Sequence, residues 1–265
     1  MPYKLHGRNV LIVGGARGLG VSIAEKFAAE GCNVAINYLS SHQQADDLAL
    51  RLEKDYDIKT TTIQGDAGIQ ADCVRLIRTA IEKFKGLDII ISNAGWTRFS
   101  NFEDLYALDE NEWDKVRRIN STSDLGSNIT YPKCWATNVK SNLFLFREAL
   151  PTFNANEEGG VFITTSSIAV RLEIYPFEEN DKFSDRYFQG ITPSGSSMAY
   201  SASQGPKVRI NSVLPGLLLT EWILKGLQYS AEQIQSWTEK SALKHEVSSR
   251  LLRLVLEFPL INTTI

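Results

Sequence analysis

Residues 9–20 read NVLIVGGARGLG. Asn9 to Val13 is a short, almost wholly apolar run with the length of a buried strand, and it ends abruptly in glycines. After them Leu19, Ile23, Ala24 and Phe27 recur at helical spacing, and Gly31 supplies the stop. The order is therefore strand, glycine turn, helix. In a doubly wound α/β fold the first such turn lies at the carboxyl edge of the sheet, where unpaired N–H groups at the helix start attract an anion. Gly14, Gly18 and Gly20 have the spacing G-x-x-x-G-x-G, which differs from the G-x-G-x-x-G fingerprint but serves the same end. Backbone without side chains can approach a pyrophosphate.

Outward from this turn, the alternation continues. Asn33 to Tyr38 reads as a second strand, Ser41 to Asp55 as a helix, Thr60 to Gln64 as a third strand and Ala71 to Phe84 as a helix. Leu87 to Ser92 is a fourth strand, and Val161 to Thr165 and Val208 to Leu214 are later strands of the same sheet. Strands alternating with helices at this pace predict a doubly wound, mostly parallel, Rossmann-like sheet within a single domain spanning 1–265.

Bulk properties narrow the function. The chain has 265 residues, 43% hydrophobic and 22% charged, as expected of an ordinary globular protein. A net charge of -3 offers no basic surface, so nucleic acid is not an expected partner. Cys32, Cys73 and Cys134 lie far apart, as do His6, His42 and His245, and they suggest neither a disulfide framework nor a metal site. The start MPYKLHGRNV has no signal-peptide pattern and no apolar run reaches membrane-spanning length, which predicts a cytoplasmic protein with no membrane partner.

Two places bear on which dinucleotide is held. NAD specificity usually puts a carboxylate about twenty residues beyond the glycines, on the ribose 2′-OH. Asn37 stands at that place, followed by Tyr38, Leu39, Ser40 and Ser41. With no carboxylate to repel it, a 2′-phosphate can be held by Arg17 and the Ser40 hydroxyl, so NADP is expected over NAD. The bland alternative is that Arg17 is a solvated loop charge.

Taken together, the glycine turn, Asp66, Asn93-Ala94-Gly95, Ser167, Tyr200 and Pro215-Gly216 resemble the short-chain dehydrogenase/reductase family over roughly residues 7–245. The resemblance implies hydride transfer between NAD(P)H and a small carbonyl or alcohol substrate. Asp66 would then bond the adenine, and the Asn93 to Gly95 turn would support the central strand beside the cofactor. Gly14, Gly18, Leu19 and Gly20 would line the pyrophosphate, and Pro215, Gly216 and Thr220 would flank the nicotinamide. Tyr200 would pass the proton, Ser167 would orient the carbonyl oxygen and Asn138 would complete a proton relay.

The chain also departs from the family's pattern. Four residues after Tyr200, where the family has a lysine, stands Gln204. Only nine positions separate Tyr200 from Arg209. Nine helical residues advance about 14 Å, short of the roughly 17–20 Å depth of a sheet, so the helix expected there is missing or distorted. Between Ser167 and Tyr200 lie 33 positions, and setting aside 170–189 restores the family's interval. Setting aside 116–133 likewise joins WDK to CWATNVKSNLFLFREALP as one amphipathic helix carrying Asn138. These segments read as surface loops or as retained introns. Residues 248–265 form an atypical tail without the family's final strand. Three readings stay open: an NADP-dependent oxidoreductase, a non-catalytic NADP-binding protein, or the non-functional product of a faulty gene model. The family often assembles through two helices, one of them in the shortened stretch after Tyr200, which argues against a homo-oligomer.

Overall fold

A computed structural model of the chain describes residues 4–96, 136–165 and 208–213. Within them six strands form one parallel sheet: β1 Asn9–Val13, β2 Asn33–Tyr38, β3 Thr60–Gln64, β4 Ile89–Ser92, β5 Gly160–Thr165 and β6 Val208–Val213. The order across the sheet is β3-β2-β1-β4-β5-β6. Neighbours are in register at Val10↔Val34, Val10↔Ile89, Ile89↔Val161 and Gly160↔Val208. The order reverses direction between β1 and β4, and the gap that opens outside their carboxyl ends is where such sheets take ligands.

Helices cover both faces. α1 (Leu19–Ala29) and α2 (His42–Tyr56) lie on one side, and α3 (Gln70–Phe84) and α4 (Ser141–Ala155) on the other. Strand periodicity divides the core accordingly. Val10, Ile12, Val34 and Ile36 pack with Phe27, Leu48 and Leu52, whereas Leu11, Val13 and Ala35 pack with Leu76, Ile77, Phe153 and Phe162. A parallel sheet buried on both faces explains why its strands read as continuous apolar runs.

Boundaries depart from the sequence reading by a residue or two. Ser41 is the residue before α2 rather than within it, and Asp57, in the left-handed region at φ 53°, ends that helix. α3 begins one residue early, at Gln70. Leu87 and Asp88 precede β4 because Asp88 is engaged with the start of β1: its carboxylate accepts the Asn9 N–H at 2.9 Å. β6 is where the sequence placed it, beside β5. The segments 116–133, 170–189 and 248–265, and the stretch after Tyr200 with Gln204, lie outside the described residues.

The largest difference concerns the helix that carries Asn138. Residues Ala136–Lys140 form a wider π-helical turn, and the α-helix proper starts at Ser141. Two side chains account for it by taking carbonyls of that turn. Ser141 Oγ donates to the Thr137 carbonyl at 2.6 Å, and Asn142 Nδ2 to the Asn138 carbonyl at 3.0 Å. Such back-bonding competes with the i→i−4 ladder, and π turns of this kind are frequent at functional sites.

Candidate dinucleotide site

At the carboxyl edge, β1 delivers the glycine turn. Gly14 has φ +72°, and a Cβ on it would lie 2.8 Å from the Ala94 Cα, so the turn and the loop after β4 touch through backbone alone. Gly20, in the first turn of α1, is packed against the Gly14 carbonyl so closely that a Cβ there would strike it. Only glycine satisfies both positions, because a residue with a side chain is strained at that φ or collides with main chain. Gly18 precedes α1 as its N-cap, and the first turn of the helix carries no acidic side chain to oppose an anion. Arg17 and Gly18 are exposed and Leu19 half-exposed. Backbone N–H groups, no intruding side chain and an exposed guanidinium are the donor set a pyrophosphate requires, so the residues present fit such a group.

The loop after β4 holds this turn from the other side. Asn93 Nδ2 donates to the Gly14 carbonyl at 3.1 Å, and the Asn93 N–H donates to the Val13 carbonyl at 3.1 Å. Asn93, Ala94 and Gly95 thus lie together with the glycines at the sheet's switch point. Asn138 reaches the same loop. Its Oδ1 accepts the Trp96 N–H at 2.8 Å and its Nδ2 donates to the Trp96 carbonyl at 2.9 Å. The asparagine thereby fastens the π turn to the loop by both ends of its amide.

Asn37 is the penultimate residue of β2. Its side chain is buried, 2% exposed, and turned into the sheet edge. Oδ1 accepts the Gly14 N–H at 3.0 Å, while Nδ2 lies 3.1 Å from the carbonyls of Ile63 and Gly65 and 3.3 Å from that of Tyr38. The alternation of β2 could have revealed this, since Asn37 shares a face with Ala35 and not with Ile36 and Tyr38. Beyond it, Tyr38 bonds through its hydroxyl to His42 Nδ1 at 2.8 Å, and Leu39 and Ser40 are exposed.

Asp66, half-buried after β3, accepts the Gly68 N–H at 2.8 Å through Oδ1. Its own N–H donates to Asp72 Oδ2 at 2.8 Å, and Arg75 spans from Asp72 Oδ1 at 2.6 Å to the Gln64 carbonyl at 2.7 Å. Burial opposes the charge on Asp72, but the Asp66 N–H and the Arg75 guanidinium outweigh it and hold its carboxyl below the usual value. Sequence reading missed this support; an acidic residue in the first turn of α3 was the available signal. Ser167, Tyr200, Pro215, Gly216 and Thr220 lie outside the described residues. Among the described residues no group of three His, Cys, Asp or Glu is gathered to hold a metal, and no helix is long and apolar enough to cross a membrane.

Known proteins resemble this chain in sequence and in fold. The family model described as short chain dehydrogenase matches residues 8–177, a span that ends before Tyr200. An uncharacterized oxidoreductase of Bacillus subtilis is 30% identical over 223 residues, covering 83% of this chain and 66% of that protein. An L-rhamnose 1-dehydrogenase (NADP(+)) of Thermoplasma acidophilum is 26% identical over 217 residues, 81% of this chain and 74% of that one. A short chain dehydrogenase from Burkholderia cenocepacia, solved in complex with NADP, superposes with a TM-score of 0.69 at 22% identity, covering 96% of this chain and 90% of that one. That likeness is one of fold.

Proposed function

Because the chain belongs to the short-chain dehydrogenase/reductase family and is by that resemblance an oxidoreductase, we propose that it binds NADP(H) at a site of the type that interconverts a small carbonyl and an alcohol, with slow turnover of its own. The observation that carries the cofactor half is the glycine turn, open to a pyrophosphate and gripped by Asn93. Preference for NADP rests on the exposed Arg17 and Ser40, with no acidic side chain between Asn37 and Ser41, and agrees with the cofactor named for the Thermoplasma relative. Asp66 is proposed to meet the adenine. The whole chain, 1–265, is taken as one domain, with 116–133 and 170–189 as insertions in it.

When bound, the nicotinamide supplies or accepts the hydride. The residues of this chain do the rest by position and proton. By the family resemblance, Pro215, Gly216 and Thr220 would flank the nicotinamide, Ser167 would donate to the carbonyl oxygen and the Tyr200 phenol would give that oxygen its proton. Asn138, whose amide fastens the π turn to Trp96, would complete the relay. A phenol of ordinary pKa about 10 needs a nearby cation to work near neutrality, and a shift of about three units amounts to roughly 4 kcal/mol. With Gln204 in place of that cation, turnover is expected to be slow or absent. This favours a second reading, a protein that binds NADP without turning it over.

Titrating NADPH against the fluorescence of the chain's tryptophans tests binding, and oxidation of NADPH in the presence of a panel of ketones tests turnover. Saturable binding with little or no turnover is expected. Steady reduction of a ketone, abolished by Tyr200→Phe, would refute the claim that the missing lysine disables the site. Absence of both binding and cooperative unfolding would instead support the faulty gene model.

A further inference from the structure

The proposed site implies a ribose beside the end of β2, and there the side chain of Asn37 is already committed. An amide nitrogen has two hydrogens, and this one is surrounded by the carbonyls of Tyr38, Ile63 and Gly65. Its oxygen accepts the Gly14 N–H. At 2% exposure nothing remains to offer a ligand. The Asn37 backbone joins in, its carbonyl accepting the Gly15 N–H at 2.9 Å. One residue thereby ties together the turn after β1, the chain leaving β2 and the loop after β3 that carries Asp66.

We propose that Asn37 is a positioning residue of the dinucleotide site: it sets the glycine turn against the Asp66 loop, and by occupying the end of β2 it shifts recognition of the ribose 2′ substituent to the exposed Leu39 and Ser40. The inference rests on the dinucleotide reading of this edge. It separates this chain from the simple rule that a carboxylate about twenty residues past the glycines selects NAD. A carboxylate at position 37 keeps an acceptor for Gly14 but has no hydrogen for the three carbonyls, and its charge is buried among their oxygens. It loosens the site instead of capturing a 2′-hydroxyl. At position 40 an acidic side chain is exposed, and can repel a 2′-phosphate without disturbing the turn.

The test compares Kd values for NADPH and NADH in the full chain and in Asn37→Asp, Asn37→Ser and Ser40→Asp, with circular dichroism and urea unfolding on each. Asn37→Asp is expected to weaken both cofactors by about tenfold, the loss of one or two buried hydrogen bonds, and to leave their ratio within about threefold of the parent. Asn37→Ser, which keeps one hydroxyl donor, is expected to show the same even loss at smaller size and covers the case in which the aspartate variant does not fold. Ser40→Asp is expected to weaken NADPH by about tenfold with NADH little changed. A gain in NADH affinity in Asn37→Asp, or a tenfold swing of the ratio toward NADH, would overturn the proposal. So would unchanged Kd values in folded position-37 variants whose urea midpoint alone has fallen, since that is a purely structural role. If the parent binds only NADH, the NADP preference falls while the position-37 variants still decide this inference; if it binds neither, the dinucleotide reading falls and takes the inference with it.

Discussion

At the amino edge of the sheet, side chains close on one another. Arg8 lies 2.9 Å from Asp88 and also pairs with Glu158, joining the starts of β1, β4 and β5. Asn33 Nδ2 donates to Asn9 Oδ1 at 2.9 Å, and Asn156 Nδ2 to the Leu87 carbonyl at 2.9 Å. At the carboxyl edge, buried amides also fasten the loops, but they fasten them from beneath. Asn37 and Asn93 grip the Gly14 peptide from within, leaving the side chains of Arg17 and Ser40 exposed above with no hydrogen bond or ion pair to other described residues. One edge consumes its polar groups for cohesion; the other keeps a rigid base and holds some polar groups in reserve. The same parallel sheet thus has an end built for stability and an end built for binding, because only at the carboxyl ends do strands turn into helix N-termini.

Substitutions can break this contrast, and the largest effect is expected at the glycines. Gly14→Ala combines a disfavoured φ with a main-chain collision against Ala94, and is expected to cost about 3 kcal/mol or more and to abolish NADPH binding. Urea unfolding and fluorescence titration read both losses, and a stable variant that still binds would show that the turn is not rigid. At the other edge, Arg8→Ala leaves Asp88 with the Asn9 N–H but no counter-ion. About 1–2 kcal/mol of stability should be lost, with the Kd for NADPH unaltered in folded protein. A changed Kd there would mean that the two edges are coupled through β1.

Arg17→Ala should do the reverse: the urea midpoint stays put, while the affinity for NADPH falls by about tenfold and that for NADH by much less. Equal loss for both cofactors would place Arg17 on the pyrophosphate rather than the 2′-phosphate. The smallest effect concerns the thiols. Burial foremost, with nearby carboxylates, pushes Cys32 and Cys73 up to about 12. Both bind protons more tightly folded than unfolded, so their contribution to stability is complete below the ordinary thiol value of 9.0 and declines as pH rises from there toward about 12. Peptide mapping after alkylation at pH 8 should find both unmodified in the native protein and labelled only after denaturation. Rapid native labelling of Cys73 would show that the α3 side of the sheet opens readily.

Much of the architecture was legible because its signals are local. Runs such as NVLIV and LDIIIS have the length and apolarity of buried parallel strands, and Leu19 to Phe27 keep a helical period, so element type and order follow without any long-range knowledge. The glycine spacing was legible for the same reason, since a tight turn at a helix start constrains residue type directly. What escaped was the direction of polar side chains. Asn37 lies near the place of a ribose ligand in sequence, yet the strand's alternation sends it into the sheet. Asp72 and Arg75 looked like ordinary helix charges, but fold onto the backbone around Asp66. The break in helical winding at Asn138 was equally hidden, because it depends on Ser141 and Asn142 choosing carbonyls over solvent.

The sequence by itself determined a Rossmann-like alternation, a glycine turn suited to a pyrophosphate and the family to which these belong, since each is written in spacing and residue type along a few consecutive turns. Only the tertiary structure decided that the Asn37 side chain is buried and bonded to Gly14 and to carbonyls of β2 and the end of β3. Its four partners come from the carboxyl ends of three separate strands, and their distances from one another are fixed by the pairing of β1, β2 and β3 in the sheet. A buried amide bonds whatever carbonyls and N–H groups the packing brings within reach, and no local stretch of sequence states which those are.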